Sequence, residues 1–461
     1  MKEKILIKNA NAIVTCDNQN NVFYDTDILI EDRSIVAIGK NILIDETSVI
    51  NGKDKFIYPG LINTHHHFFQ TFIRNIANVD FPNITVSDWV AKMYQIYQYV
   101  TEDVIFYSSL TAMADLLKHG CTTAFDHQYC YPRKAGKELI DRQMEAAALL
   151  GIRYHAGRGA NNLSMSKGSS IPDNMLQYTS DFISDCERLI NKYHNSQQFS
   201  MQQIVVAPSQ PVSASSDLFL ESIKLARQYG VRLHTHLGEG ENERMLARYG
   251  KRTLAWCEEI GFVGEDVWIA HGWELTPEEY LVMGKTGTGV SHCPGPAVLG
   301  GYPILDIQGM QKAGMLISLG CDGSATNDSS SLLDSLRVAY LMQTYFAKPR
   351  GGCVTPYEML KIATINGAKT LGRSDLGSLE VGKAADLFMI DTGVLEMTGT
   401  LHDPKNVLAR TGVTGPVWLT MVNGKVVWQN GQLTGVDERS LAAKGEEVCT
   451  RDLRNKCNIF Y

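Results

Sequence analysis

The stretch Leu61–Gln70, LINTHHHFFQ, follows Tyr58-Pro59-Gly60 and places three histidines side by side. The whole chain of 461 residues holds only 12 histidines, so this cluster calls for a physical reason. In an extended chain successive side chains alternate between faces. His65 and His67 therefore point one way and His66 the other. A short apolar run that closes on metal-capable side chains reads as a buried strand carrying chemistry at its C-terminal end.

Seven further runs of the same kind follow: TTAFDHQ, IRYHAGRG, QIVVAPS, VRLHTHLGE, VWIAHGW, TGVSHCP and LISLGCDGS. Amphipathic segments lie between them, among them VIFYSSLTAMADLLKHG (104–120), ELIDRQMEAAALLG (138–151) and DLFLESIKLARQYG (217–230). Several close on glycine, as helix C-termini do. Eight alternations of buried strand and helix predict a (β/α)8 TIM-like barrel over residues 57–375, with an open doubly wound sheet as the structural alternative. The flanks have another rhythm. Residues 1–56 (ILIKNANAIVT, DTDILIEDRSIVAIG) and residues 376–461 (LGSLEVGKAADLFMID, MVNGKVVW) alternate apolar and polar positions between Asn, Gly and Asp breaks. Asn423-Gly424 is a hairpin turn signal. The two ends are predicted to pair into one small β-sandwich domain with the barrel inserted between them, the tail from 437 packing outside.

The ends of the other runs complete the picture begun by the histidine triplet. His234 and His236 end the fifth, with Glu239 three residues on; His271 ends the sixth, His292 the seventh and Asp322 the eighth. Metal-capable residues at one depth on five staves argue for a shared metal. The ligand set reads as His65, His67, His236 and Asp322, a mixture of imidazole and carboxylate that suits one divalent ion, Zn2+ with Fe2+ as competitor. The fourth run carries no lysine, so a two-metal site bridged by a modified lysine is not expected. His234 shares a face with His236 and either lines the pocket or packs the core. His292 is either structural or a wall of the pocket.

Composition narrows the partners. Net charge is −7, and no cluster of Lys and Arg follows a phosphate backbone or anionic lipid, which disfavours nucleic acid and membrane surfaces. A small, near-neutral substrate is expected. The ten cysteines are scattered without a CxxC pair, as in a reducing compartment. No apolar run approaches a membrane span and the N-terminus is too polar for a signal peptide, so a cytoplasmic location is expected.

PGLINTHHH, LHTHLGE, IAHG, SHCP, LGCDGSATND and GSLEVGKAADLFMID together resemble the amidohydrolase superfamily, in its branch acting on amino-substituted nitrogen heterocycles. HHHFFQTFIRN, GCTTAFDHQY and LGCDGSATNDSSSLLDSLR are most similar to 8-oxoguanine deaminases and hydroxytriazine aminohydrolases. The HxE and PCxxC signature of the cytidine-deaminase type does not occur. The resemblance implies a metal-dependent deaminase of an oxo-substituted heterocycle, with an oxo-purine such as 8-oxoguanine first and an s-triazine losing an alkylamine as alternative. It further implies Asp322 as proton acceptor, Glu239 as the acid serving the ring nitrogen, and His271 as hydrogen-bond partner to the developing charge. Gln70 is expected to bind the lactam edge and Trp89 to cover the ring. His127 and Tyr131 are expected to reach the ring, Arg158 an oxo group or anion, and Asn327 either substrate or Asp322. Barrels of this branch associate, so a homodimer or larger assembly is expected.

Overall fold

The computed structural model describes residues 3–44, 47–76 and 85–457. The N-terminal flank forms β1 (Lys4–Val14), β2 (Val22–Glu31), β3 (Ser34–Gly39), β4 (Ser48–Asn51) and β5 (Lys55–Pro59). Eight strands then run in parallel: β6 (Leu61–Asn63), β7 (Cys121–Gln128), β8 (Arg153–Ala160), β9 (Gln202–Pro208), β10 (Arg232–Leu237), β11 (Val267–His271), β12 (Gly289–His292) and β13 (Ile317–Leu319). The C-terminal flank supplies β14 (Leu387–Asp391), β15 (Leu419–Val422), β16 (Lys425–Gln429) and β17 (Gln432–Leu433).

β6 to β13 pair in sequence order. The edges meet where the amide of Thr64, just past β6, donates to the carbonyl of Leu319 in β13 at 3.0 Å. This closes the sheet into a barrel. Every residue of β7 and β8 is buried, as a parallel sheet with both faces covered requires. The helices between strands carry the expected stops. Gly151, Gly230, Gly250 and Gly287 end four of them in the left-handed conformation that lacks a Cβ penalty. Thr276 and Glu279 form a reciprocal capping box with Pro277 in the first turn.

The two flanks make one nine-stranded sheet, with β5 lying between β1 and β14. Apolar side chains from both chain ends, including Ile7, Ile28, Ile57, Met389 and Met421, share one buried cluster. Residues 57–59, assigned above to the barrel, belong to this sheet through β5, and the chain enters the barrel at Gly60. The apolar run continues across that boundary, so hydrophobicity alone does not mark it. Sheet and barrel are tied by Arg153, fully buried, whose guanidinium donates to both oxygens of Asp386 at 3.1 and 3.0 Å. The C-terminal helix Glu438–Asp452 lies against the helix Glu102–Lys118, and Cys449 Sγ reaches the carbonyl of Phe72 at 3.5 Å. No helix of the described residues is long and apolar enough to cross a membrane.

Candidate active site and metal centre

At the C-terminal rim of the barrel the side chains of His65, His67, His236 and Asp322 converge. His67 Nε2 lies 3.1 Å from His236 Nε2, and Asp322 Oδ1 lies 3.3 Å from His65 Nε2 and 3.2 Å from His67 Nε2. All four residues are buried. Their hydrogen bonds assign the tautomers. His67 Nδ1 donates to the carbonyl of His127 at 2.9 Å, and His236 Nδ1 to that of Ser209 at 2.8 Å. Neutral rings so anchored present bare lone pairs at both Nε2 atoms, facing each other across 3.1 Å. Two lone pairs at that distance repel unless a cation lies between them. His65 Nε2 and Asp322 Oδ1 are likewise buried without a hydrogen-bond partner in the protein. Three imidazoles and one carboxylate with unspent lone pairs fit a single divalent metal ion.

The electrostatics match. Burial holds His65 and His236 well below the usual histidine range, so both stay neutral ligands. Burial alone would raise the Asp322 carboxyl, but the closely packed imidazoles of His65, His67 and His271 hold it well below the carboxylate range. His271 and Asp322 both adopt left-handed backbone, with φ of 78° and 63°. Such conformations cost on the order of 1–3 kcal/mol and gather at functional sites. Here they turn the ends of β11 and β13 toward the shared centre.

Glu239 stands beside this cluster on the loop Gly238-Glu239-Gly240. Its Oε1 lies 3.5 Å from His271 Nε2, and Gln210 Nε2 donates to its Oε2 at 3.2 Å. Burial, with the negative charges of Asp322 and Glu241 nearby, pushes the Glu239 carboxyl well above its ordinary value, which favours the protonated form of a proton donor. The loop is held by Glu241, whose carboxylate accepts from the amides of Gly238 and Glu239, both at 2.6 Å. Nothing in GEGENER separates this bracing role from that of a solvated helix-start carboxylate. Burial lowers His271 to about 4, leaving a neutral ring with no hydrogen-bond partner on either nitrogen.

A cavity of about 580 Å³ opens above the cluster. His67, His236, Asp322 and Glu239 line it, together with Gln70 and Tyr129. Gln70 Nε2 donates to Tyr129 Oη at 3.2 Å. A Cβ on Gly323 would lie 1.8 Å from Gln70 Oε1, so glycine is what admits the amide at this spot. Trp89, half-buried, also lines the cavity, as do Val86, Val90 and Ile171. Val298, Leu299 and Tyr302 join them from the segment after β12.

His127, Tyr131 and Arg158, expected to reach substrate, do not line the cavity, nor does Asn327, whose alternative was to brace Asp322. His127 lies one layer deeper in the barrel, stacked on His236 at 4.8 Å with Nε2 on the carbonyl of Ala207 at 2.8 Å. Tyr129, one strand repeat further along, reaches the rim in its place, and period-2 counting from His127 would have found it. Arg158 is spent in packing: it donates to Asp185 and Gln177, both at 2.7 Å, and covers the Tyr131 ring at 3.6 Å. That pairing holds Tyr131 outside the cavity as well. Asn327 donates to the carbonyl of Cys321 and accepts from the amide of Ser329 at 2.9 Å, bracing the turn that carries Asp322. His234 and His292 are buried and also lie off the cavity wall. Arg244, half-buried, is the cation among the described lining residues, and it sits on the Glu239 side of the cavity. Its place on the helix Asn242–Tyr249 beyond β10 left no sequence signal apart from any other helix arginine.

A closed parallel barrel with acids, imidazoles and a metal-ready ligand cluster at one rim defines a hydrolase of the metal-assisted kind. The chain belongs to the amidohydrolase family, whose model matches residues 56–427. It is 48% identical over 452 residues to a hydroxydechloroatrazine ethylaminohydrolase of Pseudomonas sp. (strain ADP), covering 96% of this chain and 94% of that protein. It is 33% identical over 444 residues to an 8-oxoguanine deaminase of Pseudomonas aeruginosa, covering 95% and 96%. Among solved structures it matches the atrazine chlorohydrolase of Arthrobacter aurescens TC1 complexed with zinc, at a TM-score of 0.92 and 30% identity, covering 96% of this chain and 100% of that one. The protein is a hydrolase acting on carbon–nitrogen bonds.

Proposed function

We propose that the protein removes an alkylamino group by hydrolysis from a hydroxy-substituted s-triazine or a closely similar nitrogen heterocycle. The observation that carries this reading is the mixed lining of the cavity. The ligand cluster and Glu239 share it with the apolar side chains of Val86, Trp89, Val90, Ile171, Val298 and Leu299. An amino-purine sheds ammonia and offers no alkyl chain to those side chains, whereas an ethylamino or isopropylamino substituent does. Each methylene so buried is worth about 1–3 kcal/mol in discrimination. The name of the 48% identical relative supports the same preference. Deamination of an oxo-purine, placed first on the sequence alone, becomes the second reading, supported by the 33% identical relative.

His65, His67, His236 and Asp322 would hold one zinc ion, which when bound lets water ionise near neutral pH. Asp322 accepts the proton that the attacking water gives up. Glu239, with its carboxyl raised by burial, delivers its proton to the ring nitrogen next to the carbon under attack, the proton held by Asp322 passes to the departing amine, and the hydroxyl proton of the collapsing adduct returns to Glu239. His271, neutral and 3.5 Å from Glu239, orients that carboxyl. Gln70 and Tyr129 meet the ring edge, Trp89 covers its face, and Arg244 meets the oxo group. The test is a comparison of kcat/KM for amine release from ethylamino- and isopropylamino-hydroxytriazines with ammonia release from 8-oxoguanine, guanine and pterins. The alkylamino substrates are expected to lead by at least tenfold. A lead for 8-oxoguanine would reverse the assignment.

A further inference from the structure

Two of the three histidines in the ligand cluster are anchored by backbone carbonyls, as their Nδ1 bonds to His127 and Ser209 record. His65 is anchored differently. Its Nδ1 lies 3.0 Å from Nε2 of His234, and Nδ1 of His234 lies 3.0 Å from the carbonyl of Trp268. Only one assignment of protons satisfies both bonds with neutral rings. His234 Nδ1–H donates to the Trp268 carbonyl, which leaves His234 Nε2 as acceptor for His65 Nδ1–H. His65 Nε2 is then a lone pair aimed at Asp322 and the ligand centre.

Trp268 closes the circuit. Its indole Nε1 donates to the carbonyl of Thr64, the residue immediately before His65, at 3.1 Å. Its ring lies 4.6 Å from the His234 ring. His234 and Trp268 are opposite one another in the β10–β11 register, and both are fully buried. The backbone and the ring of His65 are thus both referred to one residue of β11.

We propose that His234 is a positioning residue, an imidazole inserted between a strand carbonyl and His65 that sets the ligand's tautomer and ring angle. Histidine suits the place because it accepts on one nitrogen while donating from the other across the width of a ring. Leucine fills that space but does neither. The inference rests on the metal reading of His65, His67, His236 and Asp322, and the experiment separates the two.

Zinc dissociation constants are measured for metal-depleted full-length protein, H234L and H234Q by competition with a chromophoric chelator. Zinc content and the melting temperature of each metal-depleted form are measured alongside. H234L is expected to weaken zinc binding about 10- to 100-fold, the range for lost outer partners of ligands. H234Q keeps an acceptor and is expected to recover part of that loss. A wild-type protein that binds no zinc overturns the metal reading. Zinc binding in H234L equal to wild type overturns the relay alone. A measurement on the unaltered zinc-loaded protein guards against variants that do not fold. Nitrogen-15 NMR of histidine-labelled protein is expected to show a through-hydrogen-bond nitrogen–nitrogen coupling between two imidazoles. Its absence, or a second zinc ion held at His65, His127 and His234, overturns the relay.

Discussion

Glu239→Gln isolates the transferable proton at this site. The amide keeps the shape of the side chain, and its oxygen still accepts from Gln210, 3.2 Å away in the parent. Its NH2 group faces His271, whose Nε2 lies 3.5 Å from Glu239 Oε1 and, as part of a neutral ring, has no other partner. Ground-state contacts are therefore conserved, and KM is expected to stay within about threefold of wild type. What disappears is a proton that can be given up. Positioned acids contribute about 10²–10⁴-fold, or about 2.7–5.5 kcal/mol at about 1.4 kcal/mol per decade, so kcat should fall by that factor. Zinc content, read by mass spectrometry, should be unchanged because Glu239 is outside the ligand cluster. The pH profile supplies an independent arm. The raised Glu239 keeps its proton below its folded value and loses it as pH rises through that value. Wild-type kcat/KM should then fall on the alkaline side, and the variant should lack that limb. A variant with full zinc and kcat within threefold of wild type would refute the proton-transfer role.

Three other perturbations probe different parts of the structure. Arg244→Met removes the lining cation while keeping the apolar stem; kcat/KM on hydroxytriazines should fall about tenfold or more while zinc content holds, and unchanged kinetics would remove Arg244 from substrate recognition. Arg153→Met leaves Asp386 buried without its partner and should cost about 3–5 kcal/mol, read as a lowered urea midpoint, with kcat of the folded fraction unaltered; a midpoint equal to wild type would refute the coupling of sheet and barrel through this pair. Chelation of the metal should abolish turnover and lower the melting temperature, since the facing lone pairs of His67 and His236 lose the cation between them; full activity after removal of all divalent metal would sink the metal reading.

The sequence by itself determined the barrel and the ligand cluster. Both follow from local periodicity: apolar runs count the staves, and parallel staves of one closed sheet deliver their C-terminal residues to one rim. Once His65, His67, His236, Glu239, His271 and Asp322 each ended or followed a run, their meeting needed no further information. Tertiary structure alone decided how the space between those rims is shared. Arg158 lies near the C-terminal end of β8, and Arg244 on the helix that follows β10. The first is consumed by Asp185 and the Tyr131 ring, and the second is left facing the cavity. Tyr129 rather than Tyr131 lines the cavity, and His234 lies off its wall with Nε2 on His65 Nδ1. The difference is one of range. Strand and helix periods are written in neighbouring residues, whereas the partner that claims a side chain can lie far along the chain, as with His234 on Trp268 in the next strand or Gln70 beside Gly323.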